Sequence, residues 1–559
     1  MKLKKEEIYK KILQEYTLNL FENAEKLSLE YLKDFPNDIK VLNILGAIYA
    51  GKKEYNKSIE YFKKTTHIKK DYYIGYNNIG LVYRSLEDHK NALDYFNKAI
   101  KYKDDYKEAY NNLGITNQSL NKIKEAENAF SKSIRIDKNY FQPYYNLGNI
   151  KVEKKELSEA IILYQNCYKL NPNFFKCLLN LGNTYSEIGN FKSAIIFLQK
   201  AKEIDQENHI TYFNFGNVYY KYGKIIEALE FFKIALEKKP NDSDILVKIG
   251  ICNKELGDQD LALSFFKESL LSNPEHQEAN FQIGLSHYDK RNDKKAIKYF
   301  EKSKLHDSKE RTLVNYYRLK EFEIFEKKFK EASKTNKKSR IIAALSNHYS
   351  YSFDKVDSYN FCPNPLDYIY KNNVNQLTDK KEFREKLLDI IDKDESDYRK
   401  SGVVINGIQS TGNLLEKNNI EIKKLKKIII KEIESYKKMF EDKTNLFIKK
   451  FPSKINFNNS WFIKLSKSGY LNPHYHHSGW MSGAVYLNIP IKNNKSHEGD
   501  FVVGITGDNF PKIKEIYPEK IISIKTGDIV LFPSSLFHRT ISFKSNEERI
   551  CIAFDVAPD

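Results

Sequence analysis

Read for apolar and polar positions, the first 308 residues repeat one pattern. Gly46, Gly80, Gly114, Gly148, Gly182, Gly216, Gly250 and Gly284 stand 34 residues apart. Twelve residues after each comes a small side chain (Ser58, Ala92, Ala126, Ala160, Ala194, Ala228, Ala262, Ala296), and four further on comes a larger one: Phe62, Phe96, Phe130, Tyr164, Leu198, Phe232, Phe266 and Phe300. Eight coincidences at one period mark a repeat array. The spacing predicts two helices per unit, with the small residues letting them approach and the large one filling the gap between neighbours. Pro36, Pro172, Pro240 and Pro274 close several units, because proline lacks the N–H that would continue the helix. Extended backwards, the period keeps Ala24 and Pro36 but places Ile12 at the glycine position, so residues 7–40 read as a degenerate capping unit. Extended forwards, it places Arg318 there and fails, so residues 309–345 read as a helical cap.

Past residue 345 the period is lost. Residues 346–380 gather Tyr, Asn and Asp with Cys362-Pro363-Asn364-Pro365 and read as a connector. Lys381–Asp392 and Glu421–Phe440 are predicted helices, the second with Ile422, Leu425, Ile429, Ile433, Tyr436 and Phe440 on one face to plug a sheet. Between them Gly407–Leu414 reads as a polar loop. From Asn459 the pattern changes to short apolar runs: 460–465, 484–489, 500–504, 521–524, 528–532 and 549–554, separated by turns such as Gly499-Asp500 and Gly527-Asp528. Such punctuation predicts a β sandwich or barrel, and a jelly roll fits. The expected architecture is multidomain. An all-α solenoid over 1–345 and a connector over 346–380 precede a β domain over 381–559, whose core spans 458–556.

A 41% apolar and 14% aromatic content is enough for real cores. No apolar run approaches the ~18 residues of a membrane span, and Met1–Glu7 lead into a charged helix, so a cytoplasmic protein without a membrane partner is expected. The net charge of +18 comes from 92 basic residues of which ten are Arg. Bidentate phosphate and base recognition favours Arg, so Lys-rich solvated helix faces are expected rather than nucleic-acid binding. The five Cys show no CxxC and no regular spacing, as expected of reduced, buried thiols.

The Gly–Ala–Phe signature resembles the tetratricopeptide repeat over residues 41–308, about eight full repeats. In such arrays the first helix of each pair lines a concave face. Two residues before the glycine on that helix stand Asn78, Asn112, Asn146, Asn180 and Asn214; the run stops at Lys248. Amides both donate and accept, so this row could hold an extended peptide backbone irrespective of sequence, and it resembles the asparagine ladder in the repeats of O-GlcNAc transferase. A solvated polar face is the competing explanation.

The candidate chemistry lies in Asn472-Pro473-His474-Tyr475-His476-His477, followed 64 residues after His474 by His538 and 11 later by Arg549. In an extended segment His474 and His476 point the same way and His477 points away. A distal His on another strand completes a metal pocket, and imidazoles suit Fe, Cu, Ni or Zn. These residues, with Ser482–Leu487 and Gly527–Pro533, resemble a bacterial, prolyl-hydroxylase-like branch of the Fe(II)- and 2-oxoglutarate-dependent oxygenases. The resemblance implies that His474, His476 and His538 hold Fe(II), that Arg549 pairs with the 5-carboxylate of 2-oxoglutarate, and that Tyr486 contacts this cosubstrate, with O2 as the oxidant. It departs at His476, where most of that superfamily has Asp or Glu. His497 and Trp480 read as loop or substrate-access residues. The leading expectation is a hydroxylase of a peptide or protein held by the repeats. The alternatives are a repeat scaffold with an inactive jelly roll, and a three-His dioxygenase of the cupin type that does not use 2-oxoglutarate.

Overall fold

The computed structural model describes residues 2–399, 402–492, 496–507 and 510–558. The chain divides into two compact units, Met1–Thr184 and Tyr185–Asp559.

The first unit is a run of helix pairs, from Lys2–Thr17 with Phe21–Asp34 through Phe141–Glu153 with Leu157–Leu170. Its packing follows the periodic pattern. A Cβ placed on Gly114 would lie 2.5 Å from the ring of Phe130, and Gly80 and Gly148 meet Phe96 and Tyr164 in the same way. Ile12, at the glycine position of the first pair, is fully buried in a cluster with Ala24, Tyr31 and Val41. Here an apolar side chain replaces the close approach, because the residue sixteen positions on is the small, buried Ser28 rather than a large ring.

The second unit carries the repeats on. The turn inside each pair has one residue in the left-handed region, at Asn19, Lys53, Glu87, Asn121, Lys155, Gly189, Gly223, Gly257 and Arg291, then Lys320 and Asp354. These positions are 34 apart except for the step from 291 to 320, which is 29. The cause is local: the helix Asp293–Lys302 has 10 residues where its counterparts, such as Gln259–Ser272, have 14, and the connection that follows it is one residue shorter. The pattern therefore does not fail at Arg318. It loses five residues, and the helices His306–Arg318, Phe322–Thr335 and Arg340–Ser352 continue it in a shifted register. Leu313, rather than Arg318, takes the glycine's place in its helix and is buried.

Among the described residues the β domain has nine strands: β1 Tyr370–Asn373, β2 Val404–Gln409, β3 Phe457–His474, β4 Met481–Asn488, β5 Phe501–Gly504, β6 Glu519–Ile522, β7 Asp528–Pro533, β8 Phe537–Thr540 and β9 Arg549–Val556. They are antiparallel in the order β1-β7-β4-β9-β3-β8-β5-β6, with β2 on β3. The long β3 pairs with β9 along its first part and with β8 along its last, turning the sheet into a second layer as a jelly roll requires. Strand alternation then sorts the side chains. Ile550, Ile552, Phe554 and Val556 of β9 join a core shared with the helix Ile420–Met439, the segment 359–377 and the last repeat helices. Cys551 and Ala553 face the space between the layers with Tyr486, Phe501 and Phe532.

Two local readings change. Gly407–Gln409 is not loop but the end of β2, paired with Leu465–Ile463 of β3. The polar residues that follow dock on a repeat turn. Thr411 Oγ1–H donates to the Gly223 carbonyl at 2.6 Å, Asp397 N–H donates to the same oxygen at 2.7 Å, and Ile226 N–H donates to the Asp397 carboxylate at 2.9 Å. This explains why glycine stands at turns 189 and 223 where earlier turns carry Lys, Glu or Asn. A Cβ on Gly189 would lie 2.2 Å from the Glu416 carbonyl oxygen, and one on Gly223 2.9 Å from that of Thr411. Among the described residues, no helix is long and apolar enough to cross a membrane.

Candidate metal centre

His474 ends β3 and His538 lies on β8, directly opposite it in the ladder. His476 lies two residues past the end of β3. Their ring centroids are 4.2 Å (His474–His538), 4.7 Å (His476–His538) and 5.2 Å (His474–His476) apart. One ligand atom from each lies within 4.8 Å of the others.

Each imidazole is oriented through its Nδ1. His474 Nδ1–H donates to the Asn472 carbonyl at 2.8 Å, His538 Nδ1–H faces the Leu536 carbonyl at 3.4 Å, and His476 Nδ1–H donates to the Asp555 carboxylate at 2.7 Å. With Nδ1 as donor, the Nε2 lone pair is left free for a cation, the arrangement usual behind metal-ligating histidines. Burial, and then the neighbouring imidazoles, hold His474 down to about 3 and His538 well below the usual histidine range. Both are therefore neutral near neutral pH.

The same cavity is lined by Tyr486, Arg549, Cys551, Trp461 and Thr540. Arg549 is 1% exposed. Its Nε–H donates to the Gly499 carbonyl at 3.1 Å, one terminal nitrogen lies 3.9 Å from the Cys551 sulfur, and the guanidinium carbon sits 5.0 Å from the centre of the Tyr486 ring. Among the described residues no carboxylate pairs with it. A buried cation in such a position lacks the anion that would offset its desolvation. Burial also pushes the Tyr486 phenol and the Cys551 thiol up, so both are neutral. Trp461 Nε1 and Thr540 Oγ1 are buried without a partner. Three imidazole nitrogens left open, a guanidinium with no carboxylate partner among the described residues and two orphaned polar atoms around one cavity fit a metal with a small dicarboxylate.

Sequence reasoning placed His474, His476, His538, Arg549 and Tyr486 in one pocket, and the structure brings them together. It missed Asp555, Ser482, Trp461 and Thr540. The parity of β9 carried a signal for Asp555, which shares the inward face of Arg549, but nothing in the sequence showed that it reaches His476. His477 turns away from the cavity. Its Nε2 lies 3.1 Å from both the Asp307 carboxylate and Arg311, and its carbonyl accepts from Arg340, so helices of the last repeats hold the loop that carries His476 from behind. Trp480 is no access residue. It is fully buried, its indole N–H donates to the Phe447 carbonyl at 3.1 Å, and Phe361 and Phe447 pack on it. His497 lies in an exposed loop, with Nδ1 3.1 Å from Asp500.

In the first unit the asparagine row has a structural employment. The amide N–H groups of Asn78, Asn112, Asn146 and Asn180 donate to the side-chain oxygens of Asn43, Asn77, Asn111 and Asn149 at 2.8–3.0 Å, each a step back along the array. Asn214, in the second unit, is buried.

Residues 459–555 match the family described as "Putative 2OG-Fe(II) oxygenase". Residues 39–72, 72–139, 141–174 and 175–208 match tetratricopeptide-repeat models. None of the curated proteins compared with the chain matches it. Three solved structures are similar to parts of it. YrrB, described as a TPR protein with an unusual peptide-binding site, is 24% identical over 33% of this chain and 95% of its own, with a TM-score of 0.29. The APC/C hetero-tetramer Cut9-Hcn1 is 17% identical over 53% and 58%, with a TM-score of 0.37. The pilF protein of Pseudomonas aeruginosa is 18% identical over 37% and 94%, with a TM-score of 0.33. The chain thus carries tetratricopeptide repeats within residues 39–208 and, at residues 459–555, a C-terminal domain of the 2OG-Fe(II) oxygenase family.

Proposed function

We propose that the protein is an Fe(II)- and 2-oxoglutarate-dependent oxygenase that hydroxylates a peptide or protein captured by its repeats. The observation that carries this reading is the pairing, in one cavity, of three converging imidazoles with a buried guanidinium that has no carboxylate partner among the described residues. His474, His476 and His538 would hold the iron through Nε2. Arg549 would take the 5-carboxylate of 2-oxoglutarate in charge-assisted hydrogen bonds. The neutral Tyr486 hydroxyl, Trp461 Nε1–H and Thr540 Oγ1 would orient the same molecule. Bound there, iron and 2-oxoglutarate supply the activation of O2 and the oxidation of a C–H bond, with succinate and CO2 as coproducts. The apolar walls, Phe501, Phe532 and Leu471 among them, exclude water and so strengthen each polar contact.

Arg549, without a carboxylate partner among the described residues, calls for an anionic molecule in the pocket, which 2-oxoglutarate would supply. On the repeats, Asn78, Asn112, Asn146 and Asn180 each spend an amide N–H inside the array and the Asn112 carbonyl oxygen accepts from Arg84, so these residues would grip a peptide through the amide atoms that remain.

Purified, iron-loaded protein is expected to release succinate from 2-oxoglutarate, and His538→Ala to lose both the iron and the turnover. Unchanged iron content in His538→Ala, with no succinate from the wild type, would leave the scaffold reading in its place.

A further inference from the structure

His476 is the one ligand that no strand holds. β3 ends at His474, and the main chain of His476 is tied by its N–H to the Ser534 carbonyl at 3.1 Å. What fixes its ring is a buried chain of polar side chains. His476 Nδ1–H donates to Asp555 Oδ1 at 2.7 Å, and Ser482 Oγ–H donates to the same oxygen at 2.6 Å. Ser534 Oγ lies 2.8 Å from Ser482 Oγ, whose own proton is committed to Asp555, so Ser534 is the donor. Asp555, Ser482 and Ser534 are each at most 2% exposed. Asp555 and Ser482 are direct partners across the β4–β9 ladder, and Ser534 follows β7. Three rigid elements therefore converge on one imidazole.

The backbone also makes room for this network. A Cβ on Gly479 would sit 2.7 Å from Ser534 Oγ and 3.0 Å from the Asp555 side chain, so the loop carrying His476 closes onto the network only because residue 479 has no side chain. The contrast with the other two ligands is chemical. His474 and His538 donate to neutral main-chain carbonyls, whereas His476 donates to a carboxylate. A carboxylate behind an imidazole fixes its tautomer and makes its free nitrogen a stronger donor to a metal.

We propose that Asp555 is a positioning residue of the metal site, acting through His476 to supply from behind the ring the negative charge that the three imidazoles lack, with Ser482 and Ser534 holding it in place. This rests on the metal-site reading above, and it predicts that His476 binds metal as part of a unit with Asp555.

The test uses the full chain, stripped of metal, with Co(II) alone as the probe and its visible absorption as the signal. Asp555→Ala is expected to weaken Co(II) binding about 10- to 100-fold and to change the ligand-field bands. In a His476→Ala background the same substitution is expected to have no further effect, because the residue through which it acts is gone. A purely structural role would weaken binding equally in both backgrounds. Should Asp555→Ala not fold, Asp555→Asn carries the test: it keeps the shape and an acceptor but removes the charge, and is expected to weaken binding about ten-fold. Unchanged affinity in the folded variant, or a loss of the same size in the His476→Ala background, overturns the proposal. Since no 2-oxoglutarate is present, absent succinate turnover would count against the oxygenase reading alone.

Discussion

In the repeats Gly114 packs on Phe130, sixteen residues away, and the contact recurs unit after unit. In the β domain His474 faces His538 across 64 residues, and His476 depends on Asp555, 79 residues on; both relations occur once. The first kind of contact is written into a local period, and a change there is felt by one pair of helices and its neighbours. The second kind exists only when strand register is correct, since a slip by one residue would turn the whole inward row of β9 outward. The comparison teaches where each region is vulnerable: the solenoid in the fit of its side chains, the site in the completeness of its polar network.

The largest effect is expected at the site. Arg549→Leu removes the buried guanidinium while keeping an apolar side chain on β9. It should raise the KM for 2-oxoglutarate on the order of 100-fold, the equivalent of two charge-assisted hydrogen bonds, with Co(II) affinity changed little. Equal loss of metal and cosubstrate would mean that the pocket had collapsed rather than lost its anion clamp.

Next comes the seam between the repeat helices and the sheet, where His348 is fully buried against Tyr317, Ser352 and Tyr517. Burial holds this imidazole at about 4, below its ordinary 6.5. The unfolded chain takes a proton below 6.5 that the folded chain refuses until about 4, so stability present above 6.5 is lost as the pH falls. Between pH 7 and 5 the loss from this one group should be about 2 kcal/mol. Urea midpoints of the metal-free protein at the two pH values should therefore differ less in His348→Gln than in the wild type.

Within the repeats, Gly114→Ala should destabilise by about 1–2 kcal/mol, because overpacking against Phe130 outweighs the gain in helix propensity. Phe130→Leu should recover part of it, and thermal melts of the single and double variants give the coupling. A stabilised Gly114→Ala would mean that the helices can part, so that the period records propensity rather than close packing.

The smallest effect separates two meanings of the asparagine row. Asn112→Ala removes a donor to Asn77, itself buried, and should cost about 1 kcal/mol of stability. Replacing Asn112, Asn146 and Asn180 together should in addition weaken capture of peptide, read by binding of an extended, sequence-varied peptide pool. Lost stability with unchanged capture would make the row an inter-repeat staple and nothing more.

Much of the fold could be read along the chain. The helix pairs, the buried face of Ile420–Met439 and six of the strands come from periods of 3.6 and 2 that neighbouring residues show directly. The readings that changed share a cause. Arg318 was misplaced because the helix Asp293–Lys302 is four residues shorter than its counterparts, and a period carries no notice of a deletion. Trp480 looked like an access residue beside a polar loop, yet Phe361 and Phe447, each over thirty residues distant, come to bury it.

The sequence by itself determined the repeat array, the β texture of the last hundred residues and the identity of the metal-ligand and anion-pairing candidates, because each rests on residue type and on spacing along one strand or helix. Only the tertiary structure decided what surrounds them: that His476 stands on Asp555 while His477 stands on Asp307 and Arg311, and that Arg549 has no carboxylate partner among the described residues. The physical reason is range. Periodicity is a property of neighbours, whereas the partner of a buried polar group is chosen by strand register and helix docking, which bring together residues that share no local pattern.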